Sequence, residues 1–549
     1  MRRMTIVYYL VFLSIMLGAS AALPSALWGG GAWSSLSFTA ALVIAITLLV
    51  MISRKVSDRL LSAIPEGPRL SRPAAALAIP LTVVLFWLLR PGHLMLGGLQ
   101  ETVSRITAGA WTSPAAPLAT AVTQGAFRAI NSLFFIHPAT AISITSIVIS
   151  VPFILIARSL ALTLAGMEGS PAREWVPAAA MLTAGGYSIV FFGGNSIYAA
   201  AVTVSALFVL SAMKNLRGEA PVCIPVALFL LALFTHYSNI FLAPGVVYLL
   251  ARAARDRGAR GRTAAVSVIA VLAVAAIDLF ISFSRIGPAP SAVLVSVIRG
   301  SFEAASSRAP GLAFSDWGNV LLVLGPAVPL SLVLLVTGGR RGSEDDGQSP
   351  VRSFLALSAI SALVLVLAAS PLIRRGLRWE IFASTGPVFA CLALALLNGR
   401  RGDRSATASA ALSILVLSLF HLSALIGTTT SRDAGIERLR SLPIPAGAAE
   451  KIVGLDLMAS EDYSQAAEWL ATSGEMMPDD AATWFALGQA DMKNEDYLDA
   501  ISHINRALKI SPDEPLYRET LAEAYIEKRW FEEAVSELER LTAAYPSEL

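Results

Sequence analysis

Three arginines, Arg374, Arg375 and Arg378, stand together in an otherwise apolar stretch and are followed by Glu380. Guanidinium groups bind phosphate oxygens through paired hydrogen bonds, and a carboxylate can accept or orient the proton of a hydroxyl group. The cluster therefore predicts a phosphate site at Arg375 and Arg378, with Glu380 beside it as a base. In the alternative interpretation, the arginines contact lipid headgroups and Glu380 is only their ion-pair partner.

The segments around this cluster have the composition of a membrane protein. Hydrophobic residues make up 55% of the chain and charged residues 15%, with a mean hydropathy of +0.64. Apolar runs recur at roughly 20 residues, which as helix cross the hydrocarbon core of a bilayer. We predict about thirteen spans, of which the first is an uncleaved N-terminal segment. The other predicted spans lie near residues 36–53, 73–89, 139–157, 175–192, 198–213, 221–234, 240–250, 263–283, 320–336, 354–372, 381–397 and 407–426.

The loop between residues 251 and 262 sets the orientation, because it carries five arginines and such runs stay in the cytoplasm. Counting spans outward from it places 22 basic residues inside and 12 outside. The N-terminus is then cytoplasmic and the C-terminal region extracytoplasmic, as in a bacterial cell-envelope protein of the inner membrane. Arg375 and Arg378 fall on the outside, against the usual bias, which favours a binding task for them.

The charge balance changes sharply at Gly447. From there onward the chain has 22 acidic and 8 basic residues, whereas the preceding part has 17 acidic and 34 basic residues. We therefore predict a transmembrane domain at residues 1–430, a linker at 431–446 and a second domain at 447–549. The basic excess is orientation charge in short loops without interleaved aromatics, so we expect no nucleic-acid partner.

The second domain repeats with a period of 34 residues. Glycine or alanine, alanine, aliphatic, proline and aromatic positions each recur at this spacing: Gly454/Gly488/Ala522, Ala466/Ala500/Ala534, Leu470/Ile504/Leu538, Pro478/Pro512/Pro546 and Tyr463/Tyr497/Phe531. The pattern resembles the tetratricopeptide repeat, a helix–turn–helix unit of this length. The resemblance implies three repeats, at 447–480, 481–514 and 515–549, that form an all-α solenoid and bind a protein partner. The acidic surface favours a basic or neutral partner.

Four short stretches carry a second resemblance: RPGHL at 90–94, GGNSIY at 193–198, DWGN at 316–319 and RWEIF at 378–382. With the many spans and the outside repeats, they resemble polytopic C-type glycosyltransferases, which use polyprenyl-phosphate sugars. The resemblance implies Asp316 and Glu380 as catalytic carboxylates, with Asn319 and Trp379 beside them. The family's first-loop aspartate is replaced by Pro91.

Two residues of the first outside loop complete the predicted site. Glu101 is a candidate to replace the lost aspartate as base, and His93 is a further polar candidate in the same loop. The fold class predicted from all of these features is an all-α polytopic bundle joined to an α-solenoid.

Two other functions compete with sugar transfer by this chain. The lost aspartate favours a non-enzymatic, membrane-anchored scaffold whose repeats recruit a protein, and a surface-polysaccharide polymerase or ligase shares the same architecture. The two cysteines and five histidines show no metal-ligand spacing. We therefore predict no cofactor, while a divalent metal stays open, and a membrane lipid or polyprenyl-phosphate sugar as the small-molecule partner.

Overall fold

A computed structural model describes residues 54–64, 72–96, 116–165, 172–194, 196–256, 310–338, 349–369, 379–398, 404–442 and 444–544, with single positions near the N-terminus and at 102, 103 and 106. These residues contain helices and turns but no strand, which confirms the all-α prediction for them. The chain divides into two compact units. The apolar unit comprises Met1–Gly92 and Leu96–Ala434, and the repeat unit comprises His93–Met95 and Gly435–Leu549.

The described part of the apolar unit is helical. The α-helices are α1 (Arg54–Ser62), α2 (Arg72–Leu88), α3 (Pro117–Phe134), α4 (Pro138–Ala165), α5 (Ala172–Thr183), α6 (Ser196–Leu216), α7 (Cys223–Thr235), α8 (Ala243–Asp256), α9 (Pro310–Leu324), α10 (Ala327–Gly338), α11 (Ser349–Ala369), α12 (Gly386–Asn398) and α13 (Arg404–Thr430). Three 3₁₀ helices interrupt them, at Gly186–Phe192, Tyr237–Leu242 and Trp379–Thr385. We refer to these as the first, second and third 3₁₀ helices.

The predicted count of about thirteen spans is not confirmed. Five helices of the described part are long and apolar enough to cross a membrane, or seven if each of two bent pairs is one span. The predicted spans near 36–53 and 263–283 lie outside the described residues. Two other predicted spans are bent, by 72° between Trp175–Thr183 and Gly186–Phe192 and by 109° between Trp317–Leu324 and Ala327–Thr337. Hydropathy measures the length of an apolar run and does not detect a helix break inside it.

Glycines bring the two bends together. A Cβ on Gly325 would lie 2.9 Å from the backbone nitrogen of Gly186, and a Cβ on Gly186 would collide with the carbonyl oxygen of Val323. Gly325 has a φ of 120°, a conformation that suits glycine. The Val323 carbonyl sits one residue before the end of α9 and lies 3.1 Å from His421 Nε2 of α13. The buried core of the apolar unit therefore depends on backbone approaching backbone at this point.

The described residues of the repeat unit form three helical hairpins. Before them, α14 (Arg432–Ser441) occupies much of the segment predicted as a linker. The hairpins pair α15 (Ala448–Ala459) with α16 (Tyr463–Met476), α17 (Ala481–Lys493) with α18 (Tyr497–Ile510), and α19 (Pro515–Glu527) with α20 (Phe531–Ala544). Each hairpin lies within one of the three predicted repeats.

The turn inside each hairpin repeats with the same period as the sequence. Glu461, Glu495 and Arg529 all have a positive φ of 61–67°. One residue later, the backbone N–H groups of Asp462, Asp496 and Trp530 each donate to the carbonyl five residues earlier, at 2.8–3.0 Å. This is the Schellman arrangement that ends a helix, so each first helix stops at the same register.

The two helices of a hairpin approach closely, which explains why a small residue recurs at Gly454, Gly488 and Ala522. A Cβ on Gly454 would lie 2.6 Å from Leu470 Cγ, and one on Gly488 would lie 2.6 Å from Ile504 Cγ1. Between hairpins, Lys451 Nζ donates to Asp480 Oδ2 at 2.7 Å. Burial raises the pKa of the Asp480 carboxyl, but hydrogen bonds from Lys451 and Thr483 and the Lys451 charge outweigh that effect and hold it below its ordinary value.

Candidate functional site

Only some of the predicted site residues lie within the part of the chain that the structure describes. Glu101, Arg375 and Arg378 lie outside the described residues, so their predicted roles remain predictions. Asp316 lies in α9. Glu380 is buried in the first turn of the third 3₁₀ helix.

The elements that carry three of the motif stretches are neighbours. The third 3₁₀ helix, which holds Trp379 and Glu380, contacts both α9 and α6. Asn319 of α9 and Trp379 are buried. The helices that carry Asn319 and Tyr198 thus both contact the 3₁₀ helix that carries Glu380.

A chain of polar contacts runs along this neighbourhood, and we call it the polar junction: Tyr198, His236, Ser238 and Ser384. The rings of Tyr198 and His236 lie 5.2 Å apart. His236 Nδ1 accepts from the Ser238 backbone N–H at 3.1 Å and lies 2.7 Å from Ser238 Oγ. Ser238 Oγ is 3.4 Å from Ser384 Oγ. The contacts link α6 with the second and third 3₁₀ helices, and His236 is also the N-cap of the second 3₁₀ helix.

His93 belongs to the repeat unit. It is buried, and a Cβ on Gly435 would collide with its ring. The next residue, Leu94, donates its backbone N–H to Asp456 Oδ1 at 2.5 Å. Asp456 is fully buried in α15, and the other two repeats have Ala490 and Ala524 at the same register. The carboxylate therefore holds the segment His93–Met95 on the repeats.

Asp456→Ala is expected to release this segment without unfolding the hairpins, because alanine already occupies the register in the other repeats. A hydrogen bond to a charged acceptor contributes about 1.5–3 kcal/mol, so the Leu94 amide should exchange at least about ten-fold faster. Hydrogen exchange read by mass spectrometry over residues 93–95 measures this. Glu475→Ala, on an exposed part of α16, is the matched control, and equal exchange in the two variants would contradict the role of Asp456.

The repeat unit exposes an acidic face on α19. First helices of successive repeats contact one another more closely than second helices do, so α15, α17 and α19 line the concave side of the stack. On α19 the exposed residues fall on one face, which we call the acidic face: Leu516, Glu519, Glu523, Ile526 and Glu527. Apolar residues stand near its two ends and carboxylates between them. This arrangement is suited to a partner segment with cationic residues between apolar ones.

The sequence did not predict Ser384 or Asp456. Ser384 lies in an apolar segment where no motif marks it, and its contact with Ser238 joins residues 146 positions apart. Asp456 does leave a signal, because a charged residue at a register otherwise filled by buried alanine requires a partner. Within the described ranges, no three His, Cys, Asp or Glu side chains come together as metal ligands would.

Comparison with known proteins bears on the repeat unit. No curated protein matches the chain. The crystal structure of MamA protein is similar to it at 20% identity, over 24% of this chain and 76% of that chain, with a TM-score of 0.20. A family profile described as tetratricopeptide repeat matches residues 491–548. The C-terminal part of the chain therefore contains a tetratricopeptide repeat.

Proposed function

We propose that this chain is a membrane-anchored scaffold whose tetratricopeptide repeats bind a basic segment of a partner protein. Tetratricopeptide repeats generally mediate protein–protein interaction, and the acidic face of α19 is the observation that specifies the partner. This scaffold is the alternative to sugar transfer that the lost first-loop aspartate favours, and the tetratricopeptide match supports it.

The anchor is supported by the apolar unit. Besides its span-length helices, it exposes large apolar side chains in a line along α2, where Leu81, Leu85 and Leu88 are 69%, 48% and 69% exposed. An apolar line of this kind is suited to lipid chains. The loop charges further support a repeat unit on the extracytoplasmic side. Labelling of Glu468→Cys by an impermeant maleimide in intact cells, compared with the unsubstituted protein and its exposed Cys223, tests that orientation.

The spacing of the acidic face defines a probe. Leu516 and Ile526 are separated by ten helical residues, or about 15 Å, which an extended peptide covers in about five residues. The probe is therefore a synthetic peptide with two leucines five positions apart and lysines or arginines between them. Its binding to the purified full chain, measured by fluorescence anisotropy, is expected to weaken with added salt.

Charge reversal on this face provides the decisive comparison. Glu519→Lys combined with Glu523→Lys is expected to lower the affinity at least about ten-fold, because two attractive charge pairs become repulsive. The control variant carries Glu468→Lys and Glu475→Lys, which make the same charge change on exposed positions of α16. Equal loss in both variants, or no binding by the unaltered protein, would argue against the acidic face as the binding surface.

Transfer from a polyprenyl-phosphate sugar is the second candidate function. It is favoured by the contact between α9 and the third 3₁₀ helix, which carry Asn319 and Glu380. Binding of a polyprenyl-phosphate sugar to the purified protein tests it, with Arg378→Ala and Glu380→Gln as variants. Arg378→Ala should abolish binding and Glu380→Gln should spare it, because the carboxylate is assigned to the acceptor. A folded protein that does not bind the lipid at all would leave the scaffold as the remaining proposal.

A further inference from the structure

The last helix of the described residues, α20, exposes a line of mostly apolar side chains. Phe531, Val535, Leu538 and Thr542 follow one another at helical spacing on one side of α20, and we call them the terminal stripe. Phe531 is 59% exposed, Val535 53% and Leu538 40%. Val535, Leu538 and Thr542 also line a shallow groove together with Glu539. A line of large apolar side chains in water is unfavourable, so its presence requires an explanation.

The preceding repeat shows what normally covers this line. One period earlier, the equivalents of Val535, Leu538 and Thr542 are Ile501, Ile504 and Leu508 of α18. All three are at most 9% exposed: Ile504 lies against Gly488 of α17 in its own hairpin, and α19 packs against α18. In the part of the chain that the structure describes, no helix takes the corresponding place on α20. The terminal stripe therefore has the shape and chemistry of a surface that receives a helix.

The charge beside the stripe specifies that helix. Glu532 and Glu539 lie along one edge of the terminal stripe, and both are exposed. At the same registers α18 has Leu498 and Asn505, and α16 has Ser464 and Ala471. At these registers of the three second helices, carboxylates thus occur only on α20, whose outer side is covered by no other described helix, and a cationic edge of an incoming helix would meet them there.

We propose that the terminal stripe binds an amphipathic helix of a partner protein, with apolar residues at positions i, i+3, i+4 and i+7 and lysine or arginine along one edge. This surface is distinct from the acidic face of α19 and adds a second docking site to the scaffold proposed above. The apolar residues of the helix take the place that α19 occupies on α18, and its cationic edge pairs with Glu532 and Glu539. A second copy fits less well, since antiparallel pairing of two α20 helices about a two-fold axis would bring these carboxylates together.

A designed helix tests the inference on the full chain in nanodiscs. The probe is a fluorescein-labelled synthetic amphipathic peptide of roughly four turns with lysines along one edge. The reference peptide carries glutamates in their place. We expect the lysine peptide to bind at least about ten-fold more tightly than the glutamate peptide. Glu532→Lys combined with Glu539→Lys should invert this preference, and an unchanged preference would contradict the charge assignment.

The apolar contacts are tested with near-isosteric polar substitutions. Val535→Thr and Leu538→Gln change exposed positions and should together weaken binding of the lysine peptide about ten-fold or more. Unchanged affinity would overturn the proposal. So would self-association of the chain that these two substitutions abolish, because a second copy would then occupy the stripe.

One further variant separates this inference from the scaffold proposal. Glu519→Lys combined with Glu523→Lys changes the concave surface and should leave binding of the helical peptide unaltered. If that variant alone loses the helical peptide, the helix binds on the concave side, which overturns the terminal stripe as its site but leaves the scaffold intact.

Discussion

Gly186→Ala is expected to destabilise the apolar unit severely. Apart from Gly185 and Gly386, which face the Tyr187 ring, we expect no other described glycine of that unit to tolerate alanine so poorly. The added Cβ would collide with the Val323 carbonyl oxygen and lie 3.1 Å from His421 Nε2. The first obstacle is backbone and cannot rotate away, so one of the two bends must open. Overpacking of a well-filled core costs about 1–3 kcal/mol and occasionally more, and we expect the upper end here. Size-exclusion chromatography after a series of heating steps in detergent measures the loss as a lower temperature of half-survival.

The matched control for this experiment is Gly318→Ala. Gly318 lies in α9 near the same bend, and a Cβ added there meets no atom within 4 Å. Alanine is preferred over glycine inside a helix by about 0.8–1.0 kcal/mol, so this variant should be as heat-resistant as the parent or more so. If Gly186→Ala survives heating as well as Gly318→Ala does, the bends are not held together by this backbone contact.

The two bends are features of the apolar unit that hydropathy does not predict. Runs near 175–192 and 320–336 are apolar throughout, so their hydropathy predicts one span each. The breaks occur at Gly185–Gly186 and at Gly325, where glycine permits the backbone to turn and to approach another chain segment closely. In the sequence, only these glycines indicate where the helices break. A hydropathy average over the whole apolar run does not detect them.

The repeat unit was predictable because each of its register positions has a local task. The glycines at 454 and 488 let the second helix of each hairpin approach the first. The aliphatic side chains at 470 and 504, on the second helix, fill the space above these glycines. The same residue types recur every 34 residues, so a pattern that would be weak in one repeat becomes clear when three repeats are aligned. By contrast, Leu94 and Asp456 are 362 positions apart, and no periodic pattern connects them.

The predicted catalytic site had no such reinforcement. Each motif stretch is short, and three residues assigned to it, Glu101, Arg375 and Arg378, lie outside the described residues. Asn319 and Glu380 are on contacting elements, which sequence spacing could not determine, because a contact between α9 and the third 3₁₀ helix depends on how the bundle packs. The site therefore remains a prediction that the binding experiments above address.

Trp484→Arg in the middle repeat is expected to destabilise its hairpin severely, although the third repeat has Arg518 at that register. Trp484 is buried, its Nε1 donates to the Pro478 carbonyl at 3.0 Å, and its ring stacks on His503 at 5.8 Å. The Arg506 guanidinium lies 3.7 Å above the ring. Replacing a buried tryptophan costs about 3–5 kcal/mol, and an arginine would also face Arg506.

The third repeat accommodates its arginine through one matched change, Glu537 at the register of His503. Arg518 Nη2 donates to the Pro512 carbonyl at 2.8 Å, as the indole does to Pro478. Its Nη1 lies 2.9 Å from Glu537 Oε2, and Glu537 Oε1 is 2.6 Å from Arg540 Nη1. Glu537 occupies the register of His503, and Arg540 that of Arg506. The two repeats thus solve one packing problem with an aromatic pair in one case and an ion-paired group in the other.

A double-mutant cycle on the middle repeat follows from this correspondence. His503→Glu alone should destabilise, because it places a carboxylate beside Asp491, whose Oδ2 now lies 2.7 Å from His503 Nδ1. Combined with Trp484→Arg, it should restore part of the loss, with a favourable coupling of roughly 1–3 kcal/mol. Native-state hydrogen exchange of peptides from residues 481–510 under increasing denaturant gives the free energy of opening for each variant.

His503→Gln is the matched control in that cycle, since it resembles glutamate in shape but carries no charge. Trp484→Arg with His503→Gln should recover less stability than Trp484→Arg with His503→Glu. Equal recovery would mean that volume, and not the ion pair, allows arginine at this register. Arg518 would then be tolerated because the third hairpin is loosely packed on the side of α20 that carries the terminal stripe. Greater recovery with glutamate would show instead that the third repeat keeps a specific interior, although it has Arg518 where the middle repeat has Trp484.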